Sequence, residues 1–449
     1  MIRLFKHYVP YAVLLLGAID FALLLLGAEA GWALRRWQLS GDFTAGSAPQ
    51  PSMIAFAVAL QAAMVAVGVY GIQAIRSVRF AVARLLVAVG LGILLLSVLF
   101  FLLPPVSFWR SSLFYATLVA LAGMIAVRTM LRDTLAGEGF KRRVMVLGGG
   151  ARAKRIEAVA ARSGAGFAVV GVVDINDSAG LPEQLLALGA GEVVLALEER
   201  RNALPLGDLL KIKTTGVQVY DFSSFLERET GRVDLDSLNP SWLIFSDGFS
   251  SGRRISTVAK RLFDVAASGL LLVLTFPLIV LTALAVKLES VGPAFFRQRR
   301  VGLYGQPFDV IKLRSMREDA EVGGNAVWAE KNDPRITRVG NIIRKCRIDE
   351  LPQCWSVLKG EMSFVGPRPE RPQFVEDLES QLPYYAERHV VKPGITGWAQ
   401  INYPYGASIE DAREKLEFDL YYAKNYTPFL DLLILLQTAR VVLWPEGAR

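Results

Sequence analysis

Four apolar stretches open the chain, near residues 11–34, 52–72, 81–103 and 111–127. Each approaches or exceeds the roughly 20 residues that span a bilayer. The first is too long, and its flanks are wrong, for a cleaved signal peptide. From about residue 142 the pattern changes. Short apolar runs at 144–147, 168–173, 192–196 and 217–220 alternate with helical periodicity, which predicts a βαβ rhythm and a parallel sheet of Rossmann type. A polar linker at 246–254 leads to a fifth apolar stretch, 265–286, with Pro277 near its middle. Beyond 288 the chain is dense in Arg, Pro and Gly, and amphipathic helices are expected near 349–358, 370–378 and 409–425. A last apolar helix, 429–443, is expected to lie on a membrane or dock onto the body rather than span.

Charge orients these segments. Arg3 and Lys6 precede the first span, Arg76 and Arg79 separate the second and third, and Arg128, Arg132, Lys141, Arg142 and Arg143 follow the fourth. The opposite side carries Arg35, Arg36 and Arg110. The positive-inside rule puts the N-terminus and everything after the fourth span in the cytoplasm. The fifth stretch has basic flanks on both sides: Lys260 and Arg261 before it, Lys287, Arg297, Arg299 and Arg300 after. A full span would strand one cluster outside, so a re-entrant helix that breaks at Pro277 and returns to the same face is expected. Asp20, inside the first span, is either a functional acid or a buried polar contact of the bundle.

Composition adds three constraints. The chain of 449 residues is 52% hydrophobic with a net charge of +8, and only Asp20, Glu29, Asp42 and Asp133 are acidic before residue 134. That balance suits anionic lipid and anionic substrates better than nucleic acid, so no nucleic-acid partner is expected. The histidines are His7 and His389 alone, which argues against histidine triads and multi-histidine metal sites. Cys346 and Cys354 match no common zinc spacing and read as reduced cytosolic thiols.

The run Arg347-Ile-Asp-Glu-Leu-Pro-Gln353 carries the chemistry. It sets Asp349 beside Glu350, behind Arg344, Lys345 and Arg347. Taken alone, the acids would serve as helix caps. Two further groups of cations shift that reading: Lys312 and Arg314 at the end of an apolar run, and Arg368 in the rigid Gly366-Pro367-Arg368-Pro369 turn. Cations from separate segments around paired carboxylates fit a pyrophosphate pocket, where Mg²⁺ is usually held by one or two carboxylates and substrate oxygens. The Gly148-x-Gly150-x-x-Ala153 turn, with Asp174 downstream, resembles a dinucleotide fingerprint, but it reads equally as a tight turn with no ligand. No cofactor-binding residue is assigned there.

Ordered motifs from Lys260 to the C-terminus resemble those of the bacterial sugar transferase family, the monotopic polyprenyl-phosphate phosphoglycosyl transferases. They are Lys-Arg-Leu-Phe-Asp (260–264), Pro-Ala-Phe-Phe-Arg-Gln (293–298), Lys-Leu-Arg-Ser-Met (312–316), Asp-Pro-Arg-Ile-Thr (333–337), the Asp349–Glu350 run, Phe-Val-Gly-Pro-Arg-Pro-Glu (364–370) and Lys-Pro-Gly-Ile-Thr-Gly-Trp-Ala-Gln (392–400). The whole chain is similar to long members found in exopolysaccharide and exosortase-associated clusters. The resemblance implies an undecaprenyl-phosphate sugar phosphotransferase of the bacterial inner membrane, with its catalytic domain in the cytoplasm. A phospho-sugar would pass from a UDP-sugar to undecaprenyl phosphate as the first membrane step of exopolysaccharide synthesis, with release of UMP. Asp349 would be the nucleophile and a Mg²⁺ ligand, Glu350 its partner acid, and Arg344 and Arg368 phosphate binders. Lys312 and Arg314 lie in a matching basic motif. Phe276 stands where the family often has Ser before the proline, with Thr275 one step earlier, and Arg347 stands where Ser is common.

The expected architecture is a four-helix transmembrane bundle (1–135), a Rossmann-like α/β module (136–250), a re-entrant membrane helix (251–290) and a small α/β catalytic domain (291–449). Inner-membrane lipids surround it, and a homodimer is the state that long family members imply. Two other classes stay open: a membrane oxidoreductase or epimerase using NAD at the glycine turn, and a non-catalytic membrane scaffold or nucleotide sensor for polysaccharide assembly.

Overall fold

The structure is a computed structural model. It describes residues 2–4, 7–41, 49–71, 74–75, 77–131, 141–162, 165–175, 180–197, 204–238, 254–317, 335–404, 406 and 408–443. The expected linker at 246–254, apart from its last residue, and the first two residues of the 333–337 motif lie outside them.

The chain divides into two compact units, one essentially up to Gly231 and one from Arg232 onward. In the first, the four apolar stretches form helices α1 (Tyr11–Ser40), α2 (Gln50–Val67), α3 (Val78–Leu102) and α4 (Arg110–Met130). Each is long and apolar enough to cross a membrane. The α1–α4 contact is built on small residues. A Cβ on Gly27 would stand 2.8 Å from the Ala116 carbonyl, and one on Gly31 would stand 2.6 Å from the Ser112 carbonyl. Lipid gives little hydrophobic reason for helices to associate, so close backbone approach supplies the attraction. Gly31→Leu should therefore push α1 off α4. The check is the melting temperature of the detergent-purified protein, which should fall well below that of the wild type, with Gly31→Ala already lowered because a Cβ alone meets backbone there; a wild-type value for Gly31→Leu would contradict the packing account.

Asp20 resolves as a buried contact. Its carboxylate accepts two bonds from Arg128, at 2.8 and 2.7 Å, and a third from the Tyr70 hydroxyl at 3.0 Å, which in turn accepts from Gln61 at 2.8 Å. A charge in the bilayer interior needs such a partner, and Arg128 provides it from the far end of the bundle sequence.

The module that follows contains β1 (Arg142–Leu147), α5 (Gly150–Ala160), β2 (Phe167–Val173), α6 (Leu181–Leu188), β3 (Glu192–Leu195), α7 (Leu206–Thr214), β4 (Gln218–Asp221) and α8 (Phe222–Thr230). The strands form one parallel sheet in the order β2-β1-β3-β4. Alternate residues of β1 face opposite layers: Val144 and Val146 pack with α5 and α8, Met145 and Leu147 with α6 and α7. This covering of both faces explains why β1 reads as continuously apolar. At the glycine turn, Gly148 has φ +116° and a Cβ there would lie 2.9 Å from the Ala196 carbonyl. The close approach of β3's own backbone is sufficient reason for that glycine.

The second unit starts with residues 232–238, whose Val233 and Leu235 are buried in its main core. Helix α9 (Arg254–Glu289) is a single helix with Pro277 inside it. Its first turns are fastened to the α/β body. Lys260 pairs with Asp431 at 2.7 Å, Arg261 donates to the Val357 and Leu358 carbonyls, and Asp264 accepts from the Ser363 hydroxyl and the Phe364 amide. Its far end is fastened to the same body. Glu289 accepts from the Arg338 and Val339 amides, and Val286 packs on Leu313 and Ile343. Between these anchors Val273, Leu274, Phe276 and Leu281 are 61–73% exposed.

The body itself contains the antiparallel hairpin β5 (Phe295–Val301) and β6 (Pro307–Leu313), helix α10 (Arg338–Lys345), a 3₁₀ turn (Ile348–Gln353) and α11 (Cys354–Lys359). After these come the short parallel pair β7 (Ser363–Val365) and β8 (Gly394–Thr396), with α12 (Pro372–Gln381) between them. Helices α13 (Trp398–Asn402), α14 (Ile409–Asn425) and α15 (Pro428–Leu443) complete the core.

Candidate active site

The α-helix expected from Asp349 instead begins at Cys354, and the two acids lie on the preceding 3₁₀ turn. Two local causes are visible. Pro352 lacks the amide an α-turn would use, and Arg347 takes the left-handed conformation with φ +57°. That conformation costs a residue with a Cβ roughly 1–2 kcal/mol. Asp349 is therefore no N-cap; that position falls to Arg347. The turn carries both carboxylates into the interior, where Asp349 and Glu350 are 9% and 8% exposed.

The two acids are neighbours in sequence but not in environment. Glu350 Oε1 accepts from Lys312 Nζ at 3.1 Å and from Arg368 at 3.0 Å, with Arg347 at 3.9 Å. Burial alone would raise its pKa. Arg368, Lys312 and Arg347 outweigh that and hold it well below the usual carboxylate range. Asp349 moves the other way: burial and then the charge of Glu350 push its pKa up, against the weaker pull of Lys312, Arg347 and Arg344. Its Oδ1 is buried with no hydrogen-bond partner. One carboxylate is thus fixed as a neutralised anion, while the other keeps an uncommitted oxygen. Pairs whose environments push their acidities apart mark divided chemical roles.

A carboxylate with an uncommitted oxygen also fits a hard cation through either of its two oxygens. Mg²⁺ binds through one or two carboxylates and completes its shell from water and substrate phosphates. No group of three metal-binding side chains gathers among the described residues, so Asp349 would supply the protein ligand and the substrate most of the others.

The cations divide into those at the pair and those elsewhere. Lys312 reaches Glu350 from β6, and Arg368 reaches it from the Gly366–Pro369 turn. Arg344, in the last turn of α10, acts on Asp349 through its charge and makes no side-chain hydrogen bond or ion pair among the described residues. Arg314 has a different engagement from the one expected. Its guanidinium donates to the Ser290 and Val291 carbonyls and to the Ser290 hydroxyl. It secures the end of α9 instead of joining Lys312 and Arg368 on Glu350.

Two arginines at the site carried no sequence signal. Arg300 donates to the Pro369 carbonyl at 3.0 Å, and burial pulls its pKa down to about 10. Arg388 donates to the Arg368 carbonyl at 3.0 Å while paired with buried Asp419. Together they clamp the turn that aims Arg368. In the sequence Arg300 belongs to the basic cluster that flanks the fifth apolar stretch, and Arg388 sits in a segment with no motif around it.

A pH effect follows from the split pair. If chemistry at the pair uses the Asp349 anion, its rate should fall as pH drops through the raised pKa of Asp349. Glu350→Gln removes the like charge beside it and leaves Lys312 and Arg368 to favour the Asp349 anion. The acid limb of the residual pH–rate profile should move to lower pH. A limb that stays in place or moves up would contradict the coupling.

The bacterial sugar transferase model matches residues 255–445, and a CoA-binding domain model matches residues 65–196. A UDP-glucose:undecaprenyl-phosphate glucose-1-phosphate transferase of Caulobacter vibrioides is 44% identical over 193 residues, covering 42% of this chain and 71% of that protein. A UDP-N-acetylgalactosamine-undecaprenyl-phosphate N-acetylgalactosaminephosphotransferase of Aeromonas hydrophila is 44% identical over 233 residues, 52% of this chain. The chain spans 54% of that relative's length. An undecaprenyl-phosphate glucose phosphotransferase of Komagataeibacter xylinus is 34% identical over 323 residues, 68% of this chain and 60% of that protein.

Proposed function

Because the chain belongs to the bacterial sugar transferase family, we propose that it moves a phospho-sugar from a UDP-sugar to undecaprenyl phosphate and releases UMP. The observation that carries this reading is the buried, unpartnered Oδ1 of Asp349 beside a Glu350 already neutralised by Lys312 and Arg368.

The uncommitted Asp349 oxygen attacks the sugar-bearing phosphorus. A new P–O bond forms to the carboxylate as the P–O bond to UMP breaks, leaving a phosphoglycosyl-aspartate. An oxygen of the lipid phosphate then attacks the same phosphorus and restores the free carboxylate. Two easier displacements replace one difficult one. Arg344 and Arg368 neutralise the diphosphate, and Lys312 and Glu350 keep the pocket's charges in fixed positions, so little reorganisation is needed as charge develops. Mg²⁺, when bound at Asp349, supplies further charge neutralisation on the diphosphate.

The re-entrant reading of α9 is supported by its anchors. A straight helix would separate Asp264 from Glu289 by about 38 Å at 1.5 Å per residue, more than a bilayer core. Yet both ends hold the same α/β body, and the apolar middle is exposed. Such a helix dips into one leaflet and leaves the body on the cytoplasmic side, where sugar nucleotides are. We extend the reading to a Rossmann-like module at 136–250, an inner-membrane setting, a role in exopolysaccharide synthesis and a homodimer.

The test is direct. Full-length protein with Mg²⁺, undecaprenyl phosphate and a panel of UDP-sugars should release UMP from one of them, and that member of the panel identifies the sugar. Release of UDP instead would mean glycosyl rather than phosphoglycosyl transfer and would sink the proposal.

A further inference from the structure

A second group of cations in the α/β body lies outside the set that holds Glu350. Arg261, in the first turns of α9, and Lys392, just before β8, converge over Gly360. A Cβ built on Gly360 would lie 3.4 Å from an Arg261 guanidinium nitrogen and 3.6 Å from Lys392 Nζ. Gly360 is the left-handed C-cap of α11, with φ +90°. The left-handed turn thus brings both cationic heads within van der Waals distance of the point where a side chain would start.

The two cations are held differently. Arg261 is fixed, donating to the Val357 and Leu358 carbonyls at 2.6 Å each. Lys392 has no hydrogen bond or ion pair among the described residues. Burial, followed by the charge of Arg261, lowers its pKa, and Lys260 adds to that. The one acid that opposes them is Asp264, whose Oδ1 already accepts from Ser363 and Phe364. A half-buried ammonium beside a guanidinium becomes favourable when an anion arrives.

The position of the two cations selects the anion. Leu262 and Val265, on the turns next to Arg261, and Leu270, further along the helix, are exposed and apolar. They belong to the surface that meets lipid in the reading above. On the other side, the Lys392 carbonyl abuts Gly366, which opens the Arg368 turn. We propose that Arg261 and Lys392 form the site that receives the phosphate monoester of the lipid acceptor at the membrane surface. A monoester dianion matches two converging cations, whereas the single charge of a phosphodiester headgroup does not. This inference rests on the transfer reading.

The test uses the full chain in phosphatidylcholine nanodiscs. Lys392→Gln should raise the KM for undecaprenyl phosphate about tenfold, the loss expected for one charge-assisted hydrogen bond, and leave the KM for the sugar nucleotide at its wild-type value. Lys392→Arg should restore the lipid KM. Native mass spectrometry with undecaprenyl phosphate alone should show lipid retained by the wild type and lost from Lys392→Gln. Equal retention by both, or a rise confined to the sugar-nucleotide KM, overturns the assignment. So does loss of phosphatidylglycerol retention with undecaprenyl phosphate retained, which would place a bulk phospholipid there. Retention is read without turnover. Absent UMP release with normal, Lys392-dependent lipid retention would defeat the transfer reading and leave the phosphate site standing.

Discussion

Asp349→Asn should lose UMP release by about four orders of magnitude or more, the scale on which removal of a covalent nucleophile acts. The substitution keeps the size and shape of the side chain, so the 3₁₀ turn and the Glu350 contacts should survive. What it removes is the anionic oxygen: an amide at that position forms no acyl phosphate. A second readout, with the wild-type adduct mapped to the peptide that holds Asp349, separates nucleophile from metal ligand. Wild-type protein given the UDP-sugar without lipid acceptor should gain the mass of one phospho-sugar, and Asp349→Asn should gain none. Activity within tenfold of wild type, or an adduct on the variant, would assign the covalent step elsewhere.

The second large effect is expected far from any motif. Arg388→Met should destabilise the C-terminal unit by about 3–5 kcal/mol, because it leaves Asp419 buried without its partner. For a domain of this size that corresponds to roughly 10 °C in melting temperature. Arg388 bonds Asp419 at 3.0 and 2.6 Å, the Tyr385 hydroxyl at 3.1 Å and the Arg368 carbonyl at 3.0 Å. Burial already raises the Asp419 pKa, and Arg388 is the main force opposing that rise. Pairing Arg388→Met with Asp419→Leu removes the stranded charge, so most of the stability should return. Activity should not, since the Arg368 turn still lacks one of its two clamps and keeps only Arg300. Calorimetry and UMP release on the single and double variants measure the two effects separately. Recovery of both together would show that Arg388 matters for folding alone.

Much of the architecture is local and was therefore legible. A bilayer demands long apolar runs, and four of them became helices close to the expected limits, with α1 and α4 extending a few residues further. A parallel sheet covered on both faces demands continuous apolar strands, and β1 to β4 lie where those runs are. The Asp349–Glu350 pair and the Arg368 turn were visible because their residue types and spacing are themselves the signal. The 3₁₀ geometry was not, because it depends on Arg347 as the start of the turn, which puts Pro352 beyond the first turn, and the left-handed Arg347 has no signature in a residue that rarely adopts it.

The chain by itself determined the membrane segments, the strand-and-helix rhythm of the module and the presence of a carboxylate pair among cations. Only the tertiary structure decided which carboxylate is free and which cations serve it. Arg314 and Lys312 are two residues apart, yet one secures a helix end and the other reaches Glu350. Asp20 needed Arg128, 108 residues away, to become a structural contact. Hydropathy and turn chemistry act between near neighbours in sequence. Acidity and pairing depend on burial and on charges within a few ångströms in space, and those distances exist only once the chain has folded.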